Sequence, residues 1–221
     1  MSVGHDEYYS IEMFNQLKGA IEAGLNVAFL SGNTCCGRID PRPSSDGRPN
    51  RIFSRIDRYG PPDPEEVNYF PAMALLPHRS PNERTLVGAR STGHVTGGAD
   101  FACTLPDHWL FEGTGMKKGD AIPGLIGWEW HGDPAVEMPG LEVVSTGMTT
   151  DGQGHEHGAY AATVYPGPMK NVVVNASTCW WADGLSEPPG YVRPGVYTQP
   201  KGPDPRAQRI TRNVLRKMMG A

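Results

Sequence analysis

The sequence of 221 residues lacks an excess of charge of one sign, because 20 Lys and Arg residues stand against 24 Asp and Glu residues. The formal net charge of −4, without any stripe of basic residues, argues against a nucleic acid as the partner. Long hydrophobic runs are absent too: the apolar stretch near 27–30, like every other in the sequence, is far shorter than the roughly 20 residues that cross a bilayer. With no signal peptide either, the sequence predicts no membrane span.

Cysteine is scarce, with four residues in the chain, two of them adjacent at Cys35 and Cys36. This spacing fits neither a zinc site nor a disulfide framework, so we expect a reducing, cytoplasmic environment. Internal repeats, a Gly-rich phosphate loop and a Gly-x-Ser-x-Gly elbow are missing as well, so the common nucleotide-binding and serine-hydrolase patterns have no support. Because no base is readable beside Cys36, an inert buried side chain is its better interpretation.

Glycine (28 residues) and proline (21 residues) are abundant, while the hydrophobic fraction is a low 38%. This composition is typical of a globular domain with long, shaped loops, and the length suits a single domain over 1–221. Hydrophobic periodicity fades over 35–110, which we interpret as a long, loop-rich insertion. Prolines mark an extended connection over 186–205, and a C-terminal helix is predicted over 206–219.

Near the N-terminus, apolar residues recur at helical spacing across 9–23, and a short apolar strand follows over 26–30. The strand ends in the polar loop Ser-Gly-Asn-Thr, so helix and strand together predict an α/β fold. Ligands of open α/β sheets collect beyond the carboxyl ends of the strands. We therefore expect His5, Glu7 and Asn33 to lie at one such edge of the sheet.

His5 and Glu7 stand two residues apart in Gly-His-Asp-Glu-Tyr, just before the predicted helix. On extended backbone, side chains at this spacing leave on the same side, so both would face one site. Imidazole exchanges protons near neutral pH, and a carboxylate serves as a base or as a hard oxygen ligand for a metal. The alternative interpretation is the start of a helix with incidental polar residues.

A second stretch with a candidate catalytic residue covers 122–132, where Glu129 lies between Trp128 and Trp130. A carboxylate against indole rings loses hydration, which raises its pKa and suits it to proton exchange. The alternative is a surface glutamate on an alternating strand whose tryptophans face the core. Taken alone, the stretch is equally compatible with both interpretations.

Two further patterns suggest ligands but have ordinary explanations. His155 and His157 have the alternate spacing that is common among metal ligands, although their glycine flanks indicate a flexible loop. Arg51, Arg55 and Arg58 suggest an anion site, but a solvated basic face is the simpler interpretation.

Five motifs follow one another in order, and they are listed here with their positions: Gly-His-Asp-Glu-Tyr at 4–8, Ser-Gly-Asn-Thr at 31–34, Phe-Glu-Gly-Thr-Gly at 111–115, Ile-Pro-Gly-Leu-Ile-Gly-Trp-Glu at 122–129, and Asn-Ala-Ser-Thr-Cys-Trp-Trp-Ala-Asp-Gly-Leu at 175–185. As a set that covers nearly the whole chain, they resemble the C-terminal part of the large (beta) subunit of N,N-dimethylformamidase. The resemblance implies a class I glutamine-amidotransferase-like (flavodoxin-like) α/β sheet with helices. Fold alone does not license an activity, which depends on the site.

The resemblance also implies hydrolysis of a small N-substituted amide, such as N,N-dimethylformamide, to formate and an amine. In that family the reaction takes place at a mononuclear ferric centre (Fe3+) that two tyrosines and one glutamate hold. Glu7 matches the carboxylate that binds the metal. His5 matches the acid/base histidine, and Asn33 matches the polar residue that positions the substrate.

Four further residues have roles under the same resemblance. Glu129 matches the second catalytic carboxylate, and Glu112 is its rival for that role. Tyr8 neighbours the site and is expected to contact the substrate. Trp128 is expected to form part of an apolar wall for the substrate, with Trp130, Trp180 and Trp181 as the alternatives.

The sequence departs from the family pattern at its beginning. The two tyrosine ligands of the family lie upstream of the His-Asp-Glu motif, and Met1-Ser2-Val3 is too short to supply the strand that leads into Gly4. We therefore expect an incomplete fold, from a fragment or a split gene, whose partners are the missing N-terminal region and the small subunit of a hetero-oligomer. Alone, this chain is expected to bind iron poorly and to be inactive.

Two other functions stay open. A thiol-dependent amidohydrolase would use Cys35 or Cys36 as its nucleophile. A non-catalytic structural domain would only support the assembly of a larger enzyme.

Overall fold

The computed structural model of the chain describes residues 1–61, 71–75, 78–92, 97–127, 129–191 and 202–220. Within these residues, the chain forms a nine-stranded mixed sheet, a separate three-stranded sheet and three α-helices. The predicted mixed α/β class is confirmed, and strands predominate over helices.

The strands are, in chain order, β1 (Ser2–His5), β2 (Tyr8–Tyr9), β3 (Val27–Gly32), β4 (Gly37–Arg42), β5 (Ile52–Arg58), β6 (Ala89–Ser91), β7 (Gly98–Ala102), β8 (Ala121–Gly127), β9 (His131–Pro134), β10 (Glu142–Thr150), β11 (Glu156–Pro166) and β12 (Val172–Asn175). The helices are α1 (Ile11–Glu22), α2 (Arg84–Val87) and α3 (Pro205–Met219), and 3₁₀ turns occur at Pro71–Leu75, Trp109–Phe111 and Trp181–Gly184. In the described part of the chain, no helix is both long enough and apolar enough to cross a membrane.

The large sheet has a parallel part and an antiparallel part. Its order is β1-β3-β12-β11-β10-β7-β8, with β9 pairing to both β11 and β6. β3 is parallel to both β1 and β12, whereas the pairs from β12 to β8 are antiparallel. Tight turns join β10 to β11 and β11 to β12, and such connections produce antiparallel pairs. The sheet is therefore richer in antiparallel strands than a flavodoxin-like sheet, and that finer fold stays a prediction.

A strand at the N-terminus was not expected, because Met1-Ser2-Val3 is short. The structure nevertheless shows β1 over Ser2–His5, paired in parallel with β3 so that His5 lies opposite Gly32. Backbone hydrogen bonds to β3 provide this pairing, and the Ser2 hydroxyl adds a hydrogen bond of 2.9 Å to Ser31 Oγ. An edge strand held by one neighbour needs no long apolar run of its own.

The two long helices pack on opposite faces of the parallel strands. On one face, Phe14 and Ile21 of α1 share a core with Phe29 and Val173. On the other face, Ile210 and Val214 of α3 share a second core with the residues of β3 and β12 that alternate with Phe29 and Val173 along those strands. The result is a helix–sheet–helix layering around β3 and β12, as expected for an α/β fold.

Helix α1 forms where the apolar spacing predicts it. Ser10 caps its N-terminus by accepting a 3.3 Å hydrogen bond from the Met13 N–H. Serine is a preferred residue at this position, because its hydroxyl pairs with a backbone N–H that has no partner within the helix. Gly24, with φ of +104°, follows its C-terminus and adopts a backbone conformation that other residues rarely reach. Helix α3, capped by Asp204, occupies the segment for which a C-terminal helix is predicted.

The stretch 35–110 contains more regular structure than its fading periodicity suggests. It includes β4 and β5, which form the small sheet with β2 in the order β2-β4-β5. Arg58 of β5 is buried, and its guanidinium donates to the backbone oxygens of Tyr59 and Ser91. Because these hydrogen bonds replace those to water, a charged side chain can occupy a buried position here. Because buried polar groups form hydrogen bonds with each other here, β5 lacks the hydrophobic alternation from which a strand is predicted. Most of the proline-rich connection, 192–201, lies outside the described residues.

We predict that Gly127→Ala destabilises the fold strongly. A Cβ atom at this position would overlap the Trp180 ring, which is itself 6% exposed and has little room to move. Overpacking of this kind lowers the free energy of unfolding by about 2–3 kcal/mol, measured by urea denaturation. The matched control is Gly19→Ala in α1, where nothing lies within 4 Å of the new atom. That change should instead stabilise the protein by about 0.5–1 kcal/mol, and equal effects of both changes would contradict the packing.

Candidate active site

The segment from His5 to Tyr8 passes from the large sheet to the small sheet. His5 ends β1, and Tyr8, three residues later, begins β2, which pairs in parallel with β4. The loop after β3 holds this crossing segment, because the Cys35 N–H donates to Asp6 O at 2.9 Å and the Gly37 N–H to Glu7 O at 2.9 Å. The crossing therefore fixes where the side chains of residues 5 and 7 are presented.

The loop after β3 carries Asn33, at the carboxyl end of the parallel strands as predicted. Asn33 and Cys35 both have left-handed backbone, with φ of 50° and 59°. Such conformations are uncommon outside glycine and need support from their surroundings. The support comes from Thr34 between them, whose N–H donates to His131 Nε2 at 3.0 Å and whose hydroxyl lies 2.7 Å from Ser31 Oγ.

His131 is a buried neutral imidazole that joins three parts of the fold. Its Nε2 accepts from Thr34, so its proton lies on Nδ1, which donates to Asn175 Oδ1 at 2.7 Å. Complete burial lowers the pKa of His131 to about 4, despite the opposing hydrogen bond to Asn175. The imidazole thus stays uncharged near neutral pH and supports the loop that presents Asn33.

Glu129 reaches the same sheet edge from the other side. It follows β8, and its carbonyl oxygen is so close to Gly32 that a Cβ atom on that glycine would overlap it. The Cys179 N–H donates to the same carbonyl oxygen at 3.4 Å. The glycine of the Ser-Gly-Asn-Thr motif is therefore needed for this close approach of two backbones.

These elements bring together four of the predicted residues, His5, Glu7, Asn33 and Glu129, which we call the His5 cluster. His5 Nε2 forms an ion pair with Glu129 Oε2 and lies 3.4 Å from Glu7 Oε2 and 3.4 Å from Asn33 Nδ2. Glu7 and Glu129 are only 8% and 7% exposed, whereas the His5 side chain is 37% exposed. Two shielded carboxylates thus face one imidazole that solvent and small molecules can reach.

The charges of the cluster shift its proton equilibria. The hydrogen bond and the charge of Glu129 raise the pKa of His5, and burial only partly opposes them. Burial also raises the pKa of Glu7, although the Arg55 guanidinium opposes this rise. Arg55 Nη1 donates to Glu7 Oε1 at 2.9 Å, so one oxygen of Glu7 faces a fixed positive charge while the other faces His5.

The sequence does not predict that Arg55 contacts Glu7, because a solvated basic face is the simpler interpretation of Arg51, Arg55 and Arg58. Arg55 lies opposite Ile39 in the β4–β5 register, and this pairing brings its guanidinium to Glu7. No local pattern indicates that contact, since it depends on strand pairing across a loop.

The other predicted site residues have different positions. Tyr8 is 48% exposed beside the His5 cluster, and the Arg55 guanidinium carbon lies 5.9 Å from its ring centroid. Burial, followed by the charge of Glu7, raises the pKa of Tyr8. Trp128 lies outside the described residues. Glu112 is at α3, where its carbonyl oxygen accepts from Asn213 at 2.8 Å, so Glu129 and not Glu112 neighbours His5.

Neither the adjacent cysteines nor the pair of His155 and His157 forms a site like the His5 cluster. Burial raises the pKa of Cys35 well above its usual value, which disfavours the nucleophilic thiolate. Cys36 is 3% exposed and its Sγ accepts from Arg55 Nη2 at 3.6 Å. His155 and His157 both pair with the carboxylate of Asp151.

The donor set of the His5 cluster is one of hard oxygens. Among the described residues, no group of three or more His, Cys, Asp or Glu side chains is arranged to hold a metal ion. Glu7 carries the carboxylate oxygens that ferric iron prefers, and its Oε1 accepts from Arg55, whereas Glu129 pairs with His5. Glu7 therefore has the chemistry of one iron ligand, and the remaining ligands would come from outside the described residues.

We predict that Glu129→Gln lowers the pKa of His5, because the change removes the interaction that raises it while the burial that lowers it remains. An NMR titration of the His5 ring measures the shift. In the unchanged protein, the pair stabilises the fold fully below about pH 6.5 and loses this effect as the pH rises through the raised pKa. Glu112→Gln is the matched control, and an equal shift there would show that His5 senses overall charge only.

Comparison with known proteins identifies a family for the chain. A search of the curated proteins gave no match to the sequence. A family model described as N,N-dimethylformamidase beta subunit-like, C-terminal, matches residues 1–194. That range contains the five ordered motifs and the whole His5 cluster. The chain therefore belongs to the N,N-dimethylformamidase beta subunit-like, C-terminal family.

Proposed function

We propose that this chain forms the catalytic domain of an iron-dependent amidohydrolase that hydrolyses a small N-substituted amide, such as N,N-dimethylformamide, to formate and an amine. One observation carries the proposal: a half-exposed imidazole pairs with a shielded carboxylate on one side and lies 3.4 Å from a second carboxylate. Proton exchange between water and a leaving amine needs a group of this kind. The family of the chain supports the same reaction.

In this proposal His5 moves the protons. Because Nε2 faces Glu129, the two residues act as a pair, which accepts one proton from the attacking water as the new C–O bond forms and later donates that proton to the amine nitrogen as the C–N bond breaks. Glu129 holds the ring and stabilises the imidazolium in between, since it is the nearest anion to Nε2. Asn33 Nδ2, 3.4 Å from the same nitrogen, orients the amide carbonyl or the developing oxyanion.

Glu7 would be the ligand from this chain to a mononuclear ferric ion, and two tyrosine ligands are expected from outside it. The ion would supply Lewis-acid polarisation of the amide or of water. Arg55 holds Glu7 in place and favours its charged form, because it donates to Oε1. The metal-binding role thus agrees with a carboxylate that is buried, oriented and kept ionisable.

The partners, the detailed fold and the cellular location of the chain are part of the same proposal. A beta-subunit-like family supports a hetero-oligomer, with a small subunit and the tyrosine-bearing region as partners. The helix–sheet–helix layering is compatible with a class I glutamine-amidotransferase-like relationship. The four cysteines form no disulfide bond, which suits a reducing compartment such as the cytoplasm.

The test changes the two carboxylates separately, in the complete enzyme that contains this chain. Glu129→Gln should lower kcat for N,N-dimethylformamide by about 100- to 10,000-fold while bound iron is retained, because a partner in proton transfer is lost. Glu7→Gln should lower both bound iron and turnover. Amine release measures turnover, and metal analysis of the purified protein measures iron.

The controls separate this function from its alternatives. Glu112→Gln removes a carboxylate at α3, away from the His5 cluster, and should leave iron and turnover unchanged. Retained iron and undiminished turnover in both Glu7→Gln and Glu129→Gln would refute the roles and leave a structural assembly domain. Loss of activity on alkylation of Cys36 would instead favour the thiol mechanism, and insensitivity would dismiss it.

A further inference from the structure

Beside the His5 cluster, the small sheet carries a groove of about 420 Å³. Its described lining residues are Tyr8, Ile39, Phe53 and Arg55, and we call it the Phe53 groove. Phe53 and Tyr8, which line the same groove, are 60% and 48% exposed, so apolar surface of both faces solvent there. A volume of this size is in the range of about 300–1,000 Å³ that small-molecule sites occupy.

The register of the small sheet builds the groove on one face. Ile39 lies opposite Arg55, and Pro41 lies opposite Phe53, so these side chains leave on the same side of β4 and β5. Gly37, two residues before Ile39, carries no side chain at the corresponding position. A Cβ atom there would lie 2.8 Å from the Tyr8 ring and 3.1 Å from Arg55 Nε, so the glycine makes room for both.

The groove is continuous with the His5 cluster through two residues. Arg55 lines the groove and donates to Glu7 Oε1, and Tyr8 directly follows Glu7 in the chain. The groove therefore has a charged end at Arg55, which contacts Glu7, and an apolar end at Phe53. A matching ligand has a polar reacting group at one end and an apolar or aromatic group at the other.

We propose that the Phe53 groove binds the N-substituent of the amide, and that the substrate class is amides with an aromatic or extended apolar substituent on nitrogen. This inference rests on the proposed function, because the amide carbonyl must lie at the His5 cluster. The methyl groups of N,N-dimethylformamide fill only a small part of about 420 Å³. A benzyl ring would cover the exposed faces of Phe53 and Tyr8, and burial of apolar surface favours binding.

The experiment compares N-benzylformamide with N,N-dimethylformamide in the complete enzyme. NMR or calorimetry measures binding of the benzyl amide, and amine release measures turnover of both amides. Phe53→Ala should weaken binding of N-benzylformamide about tenfold, or about 1.4 kcal/mol. It should also lower, by a similar factor, the ratio of kcat/KM for the benzyl amide to that for the dimethyl amide.

Ile52→Ala is the matched control. Ile52 is the preceding residue of the same strand and is 47% exposed, but it points to the opposite face of the sheet. Its change should alter neither binding nor the kcat/KM ratio. Equal effects of Phe53→Ala and Ile52→Ala on binding would overturn the groove as a substrate site.

The outcomes distinguish this inference from the proposed function. Binding of N-benzylformamide that depends on Phe53, without turnover of either amide, would support the groove and refute the hydrolase. Turnover of N,N-dimethylformamide without any Phe53-dependent binding of the benzyl amide would refute the groove alone. If Phe53→Ala changes only the oligomeric state, measured by analytical ultracentrifugation, the groove is a subunit contact and the inference is wrong.

Discussion

The arrangement of the site depends on a buried imidazole that does not take part in proton transfer. His131 accepts from the Thr34 backbone and donates to Asn175, and so connects the loop after β3 to the end of β12. Ser177 completes the network, because its hydroxyl donates to His131 O at 2.7 Å and its N–H to Asn175 Oδ1 at 2.8 Å. A fully satisfied polar network of this kind selects one arrangement of the chain around it. The left-handed backbone of Asn33 persists because this network holds its neighbour.

The two histidines of the sheet edge show how environment divides one residue type into two roles. His131 is fully buried with only neutral partners, so burial prevails and the pKa falls to about 4. His5 is half-buried and pairs with Glu129, so the carboxylate prevails and the pKa rises. Near neutral pH, His131 stays uncharged and keeps the same hydrogen bonds, while the charge of the His5–Glu129 pair responds to pH.

The sequence predicts those parts of the site that depend on local pattern. The spacing of His5 and Glu7, and the loop of Asn33 after an apolar strand, predict residues at a sheet edge, and the structure brings these together with Glu129. Arg55 and His131 reach the site through strand pairing and through contacts between residues far apart in sequence. Nothing in their local sequence indicates those contacts. The same reason explains β1, which exists because β3 offers backbone partners and not because its own residues are apolar.

The third motif, Phe-Glu-Gly-Thr-Gly, belongs to the packing of the fold and not to the His5 cluster. Its backbone is bound by α3, since Asn213 Nδ2 donates to Leu110 O at 3.0 Å and to Glu112 O at 2.8 Å. Gly113, with φ of +70°, leaves room for the Arg209 guanidinium against it. Phe111 then joins the core that α3 covers. A glutamate in a family motif can therefore mark a helix-docking turn, whereas Glu129 is the one of the two that lies beside His5.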